Sequence, residues 1–581
     1  MGDDLKLLRL FLLIALLAIV ALAGYWLSRS TPGSTRSDVL TTQNGGRLVS
    51  TYRSEPGSFN RYVSSKTADE VIARLLHATL VRVDRKTGKV EPRLARSWTA
   101  SPDGLTWTFA LDPAVTFADG TPFTSTDVVF SFQALYDTKV NSDIADSLRI
   151  GGKPMVVRAM DAHTVVIVFP SPYAPGISLL DSLPILPAHK LKAALDAGTF
   201  RDAWGVSTPL ADITGLGPFV IREYKPGEHL IFARNPRFWV RDASGHQLPY
   251  LDEIELQIAP DQNTEVLRLE AGEADLMTDR VRFEDLAALR DLETKGRITL
   301  HDGGVSISPD AFWINLDPAA PFARDRPWLQ REELRHAIDL AVNRTTIVNT
   351  VFLGQAVEVA GPITPGHGEW FLPELPRPAF DPAQAIKLLA AIGLIDRTGD
   401  GLVDDEKGRT AKFSVMTAAG NSVRERSLKL IREQLRKIGL EVDLAFLDGP
   451  SFGARFEKAE YEALYFELGS DALDPGRNPD FWMSSGLYHV WHPGQATPST
   501  TWEGRLDALM TQQSSTLDAT KRHQLFADAQ RLLAEHAPVL YFAAPKVTVA
   551  SNARVEGISA SVLTPAVLWN AEVLRVTGPR R

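Results

Sequence analysis

The segment Tyr465–Asp507 concentrates acidic and aromatic side chains in a stretch rich in glycine, proline and serine. Long loops on rigid scaffolds commonly carry binding residues, so this segment is the first candidate for a ligand site. A carboxylate there can pair with a ligand cation, and an indole can stack on a flat ligand. The alternatives are that the acids cap the turns before Pro475 and Pro479 and that the tryptophans pack the loop. The candidate ligand contacts are Glu467, Asp471, Asp474 and Trp482, whereas Trp491 is expected to pack in the core.

A second candidate is the stretch RSEPGSF, which follows a predicted strand over Arg47–Tyr52. The loop that ends a strand often faces a cleft. Arg53 can hold a carboxylate in its guanidinium fork, and Ser54 and the backbone near Glu55 offer further polar groups. A solvated arginine at a strand end is the alternative reading of Arg53.

A glycine-rich loop, TPGHGEWF, forms a third candidate. His367, Glu369 and Trp370 place an imidazole, a carboxylate and an indole within four positions of one another. We expect His367 and Trp370 to line the same cleft as the first two candidates. The alternative is an ordinary surface loop.

An acidic stretch that begins at Asp396 resembles a calcium-binding loop. Asp396, Thr398, Asp400 and Gly401 occupy its positions 1, 3, 5 and 6. Position 12, which should carry a bidentate glutamate, is Lys407. Although the acidic residue just before Lys407 is a possible substitute ligand, we predict an acidic turn and no metal site.

Signatures of enzymes are missing from the sequence. It contains no Walker A loop, no G-x-S-x-G elbow, no H-E-x-x-H and no complete dinucleotide fingerprint. The absence of cysteine excludes thiolate nucleophiles and cysteine-ligated metals. We therefore predict no catalytic residue and no cofactor. One alternative stays open: an exported carboxylate-dependent hydrolase, such as a glycoside hydrolase, that uses acids such as Glu467 and Asp471.

Length and charge narrow the class of protein. The 581 residues suggest about three domains, since one domain usually takes about 100 to 200 residues. The net charge of −9 argues against a nucleic-acid partner, because phosphate binding needs clustered lysine and arginine. A hydrophobic share of 44% is ordinary for globular proteins.

The amino terminus predicts export. Lys6 and Arg9 precede an apolar run over Leu10–Leu27, and Ala21 and Ala23 offer a small-residue cleavage site. We assign residues 1–27 to a signal peptide or a retained membrane anchor, both of which stay open. A polar linker over residues 28–43 follows.

Alternating strand and helix patterns predict an α/β fold. A strand over Asp161–Pro175, stopped by proline, is expected at the edge of a sheet. Gly215 and Gly217 are expected to allow a sharp turn before a hairpin. The other principal predicted elements are strands over Arg47–Tyr52, Thr106–Leu111, Phe219–Tyr224, His229–Ala233, Ile254–Ile258, Ala274–Met277, Phe312–Leu316 and Val539–Phe542, a helix that starts at Ser125 or Thr126, and helices over about 263–271 and 519–535.

Four long stretches in this order resemble the extracytoplasmic solute-binding proteins of ABC importers, of the oligopeptide- and dipeptide-binding family (family 5). Together with the pattern that connects them, they cover about residues 44–575. The four are LARSWTASPDGLTWTFALDPAVTFADGTPFTSTDVVFSF, TGLGPFVIREYKPGEHLIFARNPRFW, ELRHAIDLAVNRTTIV and AEHAPVLYFAAP.

The resemblance implies a two-lobed clamp of the periplasmic binding protein type II kind, with an extra α+β domain in the first lobe. The first lobe would combine residues 44–81, 208–300 and 541–575. The extra domain would span 82–207, and the second lobe 301–540. A hinge is then expected near residues 300 and 540.

The resemblance also implies a function. The protein would capture a peptide or another small solute and deliver it to the permease subunits of an importer, outside the cytoplasm and as a monomer. In peptide-binding members an aspartate pairs with the ligand's ammonium group, a role open to Asp471 or Asp474. The stretch WMSSGLYHVWHP departs from those members, which puts dipeptide specificity in doubt. A regulator built on a solute-binding domain would need a helix-turn-helix where the apolar leader stands.

Overall fold

Strands and helices alternate through the residues that the structure, a computed structural model, describes: 45–64, 66–470 and 472–578. The predicted leader 1–27 and linker 28–43 lie outside these residues. The strands are β1 (Arg47–Tyr52), β2 (Val81–Val83), β3 (Val90–Pro92), β4 (Ala95–Ala100), β5 (Thr106–Leu111), β6 (Val156–Asp161), β7 (Thr164–Val168), β8 (Phe219–Lys225), β9 (His229–Arg234), β10 (Glu253–Ile258), β11 (Leu276–Met277), β12 (Ile298–Val305), β13 (Asp310–Ile314), β14 (Ala356–Glu358), β15 (Lys412–Ala418), β16 (Glu441–Leu447), β17 (Ala463–Glu467), β18 (Val539–Tyr541), β19 (Ala543–Asn552), β20 (Val555–Glu556) and β21 (Arg575–Val576).

Several helices begin with a side-chain cap. At the helix predicted to start near Ser125, Thr124 caps the first turn and Asp127 completes a capping box. In the part of the chain that the structure describes, no helix is both long and apolar enough to cross a membrane. The helices are α1 (Thr67–Leu76), α2 (Ser125–Tyr136), α3 (Gly176–Leu179), α4 (Ala188–Ala197), α5 (Gln262–Glu270), α6 (Leu286–Thr294), α7 (Glu332–Ala341), α8 (Arg344–Thr346), α9 (Pro382–Ala391), α10 (Ser422–Arg436), α11 (Gly449–Glu457), α12 (Pro479–Trp482), α13 (Thr501–Ser515) and α14 (Ala519–His536).

The largest sheet, sheet A, has the strand order β12-β19-β11-β1-β10-β9-β8, with β14 paired to β19. Strand β1 lies inside the sheet, parallel to both β10 and β11. Five of its six residues are buried, including Ser50 and Thr51, as expected of a strand covered on both faces. Since the carboxyl ends of parallel strands meet at one edge, the segments after Tyr52, Ile258 and Met277 lie together.

A second sheet, sheet B, has the order β16-β15-β17-β13-β18. Strand β13 is antiparallel to both of its neighbours, whereas β15 is parallel to β16 and β17. The side chains of β13 alternate between two hydrophobic clusters, with Phe312 and Ile314 in one and Ala311 and Trp313 in the other. Sheet B is therefore covered on both faces.

A smaller antiparallel sheet, sheet C, has the order β4-β5-β7-β6 and falls within residues 82–207. The prediction of an edge strand after Asp161 is wrong. Strand β7 lies between β5 and β6, and the edge is formed by β6, which was not predicted. The residues of β6 are mostly exposed and lack an apolar alternation, so the sequence carried no strand signal there.

The chain passes between the two large sheets at two neighbouring places. It leaves sheet A after Val305 and enters sheet B at Asp310, then leaves sheet B after Tyr541 and re-enters sheet A at Ala543. One hydrophobic cluster joins residues of sheets A and C, whereas the clusters around sheet B are separate. The segment between the crossings also supplies β14 to sheet A.

Gly215 and Gly217 lie where the chain bends over residues 216–218 before β8, as expected, and close packing requires a glycine at both positions. Neither residue has a positive φ angle. A Cβ atom at Gly215 would overlap the carbonyl oxygen of Leu76, and one at Gly217 would overlap that of Leu75. The amide of Gly217 donates to the Leu76 carbonyl at 2.8 Å. The two glycines therefore let the chain lie directly against the end of helix α1.

Candidate ligand-binding cleft

A cavity of about 730 Å³, the outer cavity, lies at the edge of sheet A where β1, β10 and β11 end. Ligands in open α/β sheets bind outside the carboxyl ends of parallel strands, and pockets for small molecules commonly measure about 300–1,000 Å³. Side chains of α1, the start of α5 and residues 564–566 complete the wall. The charged side chains that line it are Arg53, Asp261, Asp279, Arg280 and Arg282.

A smaller cavity of about 220 Å³, the inner cavity, shares Thr564 with the outer one. Glu70 and Arg74 of α1 line one side, and residues 472–474 line another. Helix α1 belongs to the core of sheets A and C, whereas residues 472–474 follow β17 of sheet B. The inner cavity is therefore bounded by the parts of the chain that carry the two large sheets.

Glu70, which lines the inner cavity, lies close to three arginine side chains. Its carboxylate lies 2.8 Å from Arg74, 3.0 Å from Arg61 and 3.9 Å from Arg85. Burial alone would raise the pKa of Glu70, but the guanidinium groups of Arg74, Arg61 and Arg85 lower it to about 2. Glu70 is consequently an anion at neutral pH.

The loop after β1 is held by its own charged side chains. Arg53, expected to receive a ligand carboxylate, instead donates from Nε to Asp279 at 2.8 Å, and its Nη2 lies 2.6 Å from the same carboxylate. Ser54 is exposed and lines the outer cavity. Glu55 accepts hydrogen bonds from the Tyr224 hydroxyl at 2.8 Å and from the Gly227 amide, which ties this loop to the β8–β9 turn.

Glu265 is a buried carboxylate behind Arg53. It lies on helix α5 with a fully buried side chain, and Arg53 Nε is 3.3 Å from one of its oxygens. Neither oxygen has a well-formed hydrogen bond, and the buried Thr51 hydroxyl likewise has no partner. Burial raises the pKa of Glu265 to about 7 against the opposing attraction of Arg53. A carboxyl group with this pKa changes charge near neutral pH.

Glu467 stands at the end of β17, with a half-exposed side chain 3.9 Å from Arg424. Arg424 is mainly engaged with Asp310, to which its Nε donates at 2.7 Å. Burial and the charge of Asp310 raise the pKa of Glu467, while Arg424 and Arg280 lower it. The charges of Glu467 on sheet B and Arg280 in the loop after β11 of sheet A influence each other.

Asp474 is engaged within its own loop. It caps the Gly476 amide at 2.9 Å and accepts from Arg522 through both oxygens, each at 2.9 Å. Its carboxylate also lines the inner cavity. In the structure Asp474 therefore caps a turn, which is the alternative to a ligand contact. Asp471 lies outside the described residues.

Three aromatic candidates are buried away from both cavities. His367 accepts from the Thr364 amide at 3.1 Å, and burial lowers its pKa to about 4. Trp370 packs against Phe526 and beneath Arg522. Trp482 is 2% exposed in the same cluster. Core packing is confirmed for Trp491, which is stacked on Trp313.

The acidic stretch after Asp396 forms a turn stabilised by its own carboxylates. Asp396 accepts from the amides of Gly399 and Gly401, and Asp400 accepts from that of Leu402. Among the described residues, no group of three or more histidine or acidic side chains is arranged to hold a metal ion.

Contacts on both flanks connect the walls of the cleft. The Tyr173 hydroxyl donates to the Gly476 carbonyl at 2.8 Å, and the Ala174 amide donates to the Ser514 carbonyl at 2.7 Å. On the other flank Arg426 of α10 lies 2.8 Å from Glu284. The structure therefore has the two sides of the cleft in contact.

Sequence reasoning missed the loop over Thr278–Arg282, which supplies most of the charges in the outer cavity. Strand β11 was predicted, and it is parallel to β1. The expectation that a strand's end faces a cleft was applied only to β1. Its application to β11 would have identified Asp279, Arg280 and Arg282 as candidates.

The family model and the related proteins that match this sequence all belong to solute-binding proteins of one kind. The sequence model for "Bacterial extracellular solute-binding proteins, family 5 Middle" matches residues 89–488. A probable ABC transporter-binding protein of Deinococcus radiodurans is 26% identical over 550 residues, 89% of each chain. Oligopeptide-binding protein AppA of Bacillus subtilis is 25% identical over 540 residues, 91% of this chain and 92% of AppA.

Solved structures share the fold. The structure of NikA from Brucella suis in complex with Fe(III)-EDTA superposes with a TM-score of 0.73 at 22% identity, covering 91% of this chain and all of NikA. The structure of AppA from Bacillus subtilis in complex with a nonapeptide superposes with a TM-score of 0.68 at 24% identity, covering 92% of this chain and all of AppA. These similarities show that the mixed α/β fold is shared, at identities too low to transfer a ligand.

Proposed function

Since the chain belongs to the family 5 bacterial extracellular solute-binding proteins, we propose that it captures a small solute between two lobes and delivers it to the permease of an ABC importer. The observation that carries the proposal is the outer cavity. It lies at the carboxyl ends of the parallel strands of sheet A, and the charge of Glu467 on sheet B acts on Arg280 in its lining. The family consists of binding proteins, and no finding supports the exported hydrolase.

The lobes of this proposal follow the predicted boundaries. The first lobe comprises 44–81, 208–300 and 541–575 with the extra domain 82–207, and the second comprises 301–540. Support comes from the separate hydrophobic clusters of sheets A and B and from the two neighbouring crossings between them. A hinge at the segments that join Val305 to Asp310 and Tyr541 to Ala543 would let the lobes separate.

The proposed ligand contacts are the groups that face the cavities. They are Arg53, Ser54 and the loop over Thr278–Arg282 in the first lobe, with Asp474 in the second. Glu467 lines neither cavity and stays a proposal from the sequence. Asp471 stays a proposal from the sequence. His367, Trp370, Trp482 and the Glu55 carboxylate are not carried into the site, because they are buried in the core or bonded within the first lobe.

Peptides are the first solutes to test, because AppA of Bacillus subtilis is named for oligopeptide binding. The protein is proposed to act outside the cytoplasm as a monomer. Residues 1–27 would direct its export, either as a cleaved signal peptide or as a membrane anchor over residues 10–27.

Native mass spectrometry of the protein purified without refolding tests the function. We expect a bound solute, released when the lobes unfold, and an increase in melting temperature when that solute is added back. Peptides, sugars and metal chelates are also added separately, and the melting temperature is measured with each. A protein that carries no solute and shows no thermal shift with any of them would contradict the proposal.

A further inference from the structure

Arg280 differs from the other cations in the outer cavity. It follows β11 in the loop over Thr278–Arg282, it lines the cavity and its surface is exposed. Its Nη2 donates to the backbone carbonyl of Val562 at 2.7 Å, which holds the guanidinium in place. A carbonyl oxygen satisfies one donor of the five and leaves the positive charge uncompensated.

The neighbouring guanidinium groups already have anionic partners. Arg53 is paired with Asp279 at 2.6 Å and approaches Glu265 at 3.3 Å. Arg282 donates to both oxygens of Asp285, at 2.7 and 2.9 Å, and to Asn263 at 2.7 Å. By contrast, no carboxylate of the described residues lies within 4.0 Å of the Arg280 guanidinium nitrogens.

The surroundings of Arg280 favour an anion as its partner. Removal of water lowers the pKa of Arg280, while Glu467 and Asp279, at longer range, oppose this effect. A partly desolvated cation with unused donors gains most from a charge-assisted hydrogen bond, and its planar fork matches a carboxylate. Glu467, whose charge acts on Arg280 at longer range, repels an anion that approaches from its side.

We propose that Arg280 binds a carboxylate of the captured solute, which makes the solute an organic acid. The inference rests on the proposed function, since it requires that the cavity receives a solute. Both a peptide, through its carboxyl terminus, and a non-peptide acid supply the same group.

Isothermal titration of matched probes tests the inference. The pairs are trialanine and trialanine amide, succinate and succinamide, and glucuronate and glucose, so each acid has an uncharged partner. We expect the wild-type protein to bind at least one acid tenfold or more tightly than its partner. Preference within the first pair identifies a peptide, and preference within the other two identifies a non-peptide acid.

Variants assign the preference to Arg280. Arg280→Met should weaken binding of the preferred acid roughly 10- to 100-fold, the usual effect of a charge-assisted hydrogen bond, while Arg280→Lys should retain part of the affinity. Arg158→Met is the control, because Arg158 is exposed on β6 of sheet C and lines neither cavity, and a loss below threefold is expected. Circular dichroism and melting temperature verify that each variant is folded.

Three outcomes overturn the inference. In one, uncharged partners bind as tightly as the acids. In another, Arg280→Met retains affinity within threefold of the wild type. In the last, no acid binds although native mass spectrometry finds an uncharged solute, in which case the receptor function stands and the role of Arg280 does not. A protein that binds no solute at all contradicts both proposals.

Discussion

At the scale of single residues, the charge of Glu265 depends on the fold. The side chain is fully buried behind Arg53, and the pKa is raised to about 7 from an ordinary 4.5. Between these values the folded protein holds a proton that the unfolded chain has lost. Stability contributed by Glu265 therefore falls as the pH rises from 4.5 to 7 and is constant above that window.

Glu265→Gln is expected to remove this dependence. At pH 8 the variant should be more stable than the wild type by up to about 3 kcal/mol, since one pKa unit corresponds to about 1.4 kcal/mol, and near pH 4.5 the two should be equal. Thermal denaturation from pH 4 to pH 8 measures the difference. Glu273→Gln, at an exposed position after the same helix, controls for the loss of charge. Parallel curves for the wild type and the Glu265 variant would contradict the assignment.

Residue types alone did not separate binding residues from packing residues. Trp482 and Trp491 occur in the same glycine- and proline-rich loop, and both prove to be buried. Arg53 and Arg280 both follow parallel strands, yet only Arg53 has an anionic partner within ion-pair distance in the described chain. The difference arises from Asp279, a neighbour of Arg53 in space that lies more than 200 positions away in sequence.

At the scale of elements, many strands with a buried face were predicted, although β17 and β19 were missed, and the exposed strand β6 was not predicted. The predicted strand over Thr106–Leu111 is confirmed as β5, and the hairpin predicted from Phe219 is confirmed as β8 and β9. Their apolar alternation follows from burial of one face. Strand β6 is held by hydrogen bonds to β7, and its side chains are mostly exposed. The hydropathy of the sequence therefore does not predict this strand.

Because Gly217 lies directly against helix α1, we expect a methyl group added at this position to lower the stability of the fold strongly. Gly217→Ala should lower stability by about 3 kcal/mol or more, because the new Cβ meets backbone atoms of Leu75 and Leu76 that have no rotamer to change. Gly453→Ala, in helix α11 with open space around it, should be neutral or stabilising by up to about 1 kcal/mol. Melting temperature and soluble yield compare the two, and equal effects would show that the Gly217 packing is looser than described.

At the scale of the whole molecule, the two large sheets are joined by two crossings and by contacts across the cleft. The bond from Tyr173 to Gly476 links the part of the chain that carries sheet C to the loop after β17. Since this bond spans the cleft, its loss should favour separation of the lobes.

Tyr173→Phe should therefore weaken the closed form. Loss of one hydrogen bond worth about 1 kcal/mol lowers the ratio of closed to open protein about fivefold, with a similar loss of affinity for the solute identified by mass spectrometry. Small-angle X-ray scattering should show a larger radius of gyration for the variant. Tyr136→Phe removes a comparable bond, to Leu148 at 2.7 Å, within the part that carries sheet C, and should lower the melting temperature without a change in shape. An unchanged radius and affinity in Tyr173→Phe would show that this bond does not control closure.

The sequence by itself determined the α/β class, most of the buried strands, the family and the absence of recognisable enzyme signatures. These features depend on the periodicity of hydrophobic residues and on long motifs in a fixed order, and both can be read directly from the sequence. The tertiary structure alone decided which polar groups face a cavity, because that depends on neighbours distant in sequence. Asp279 neutralises Arg53, Asp285 neutralises Arg282, and Arg280 is left with its charge directed at the cavity.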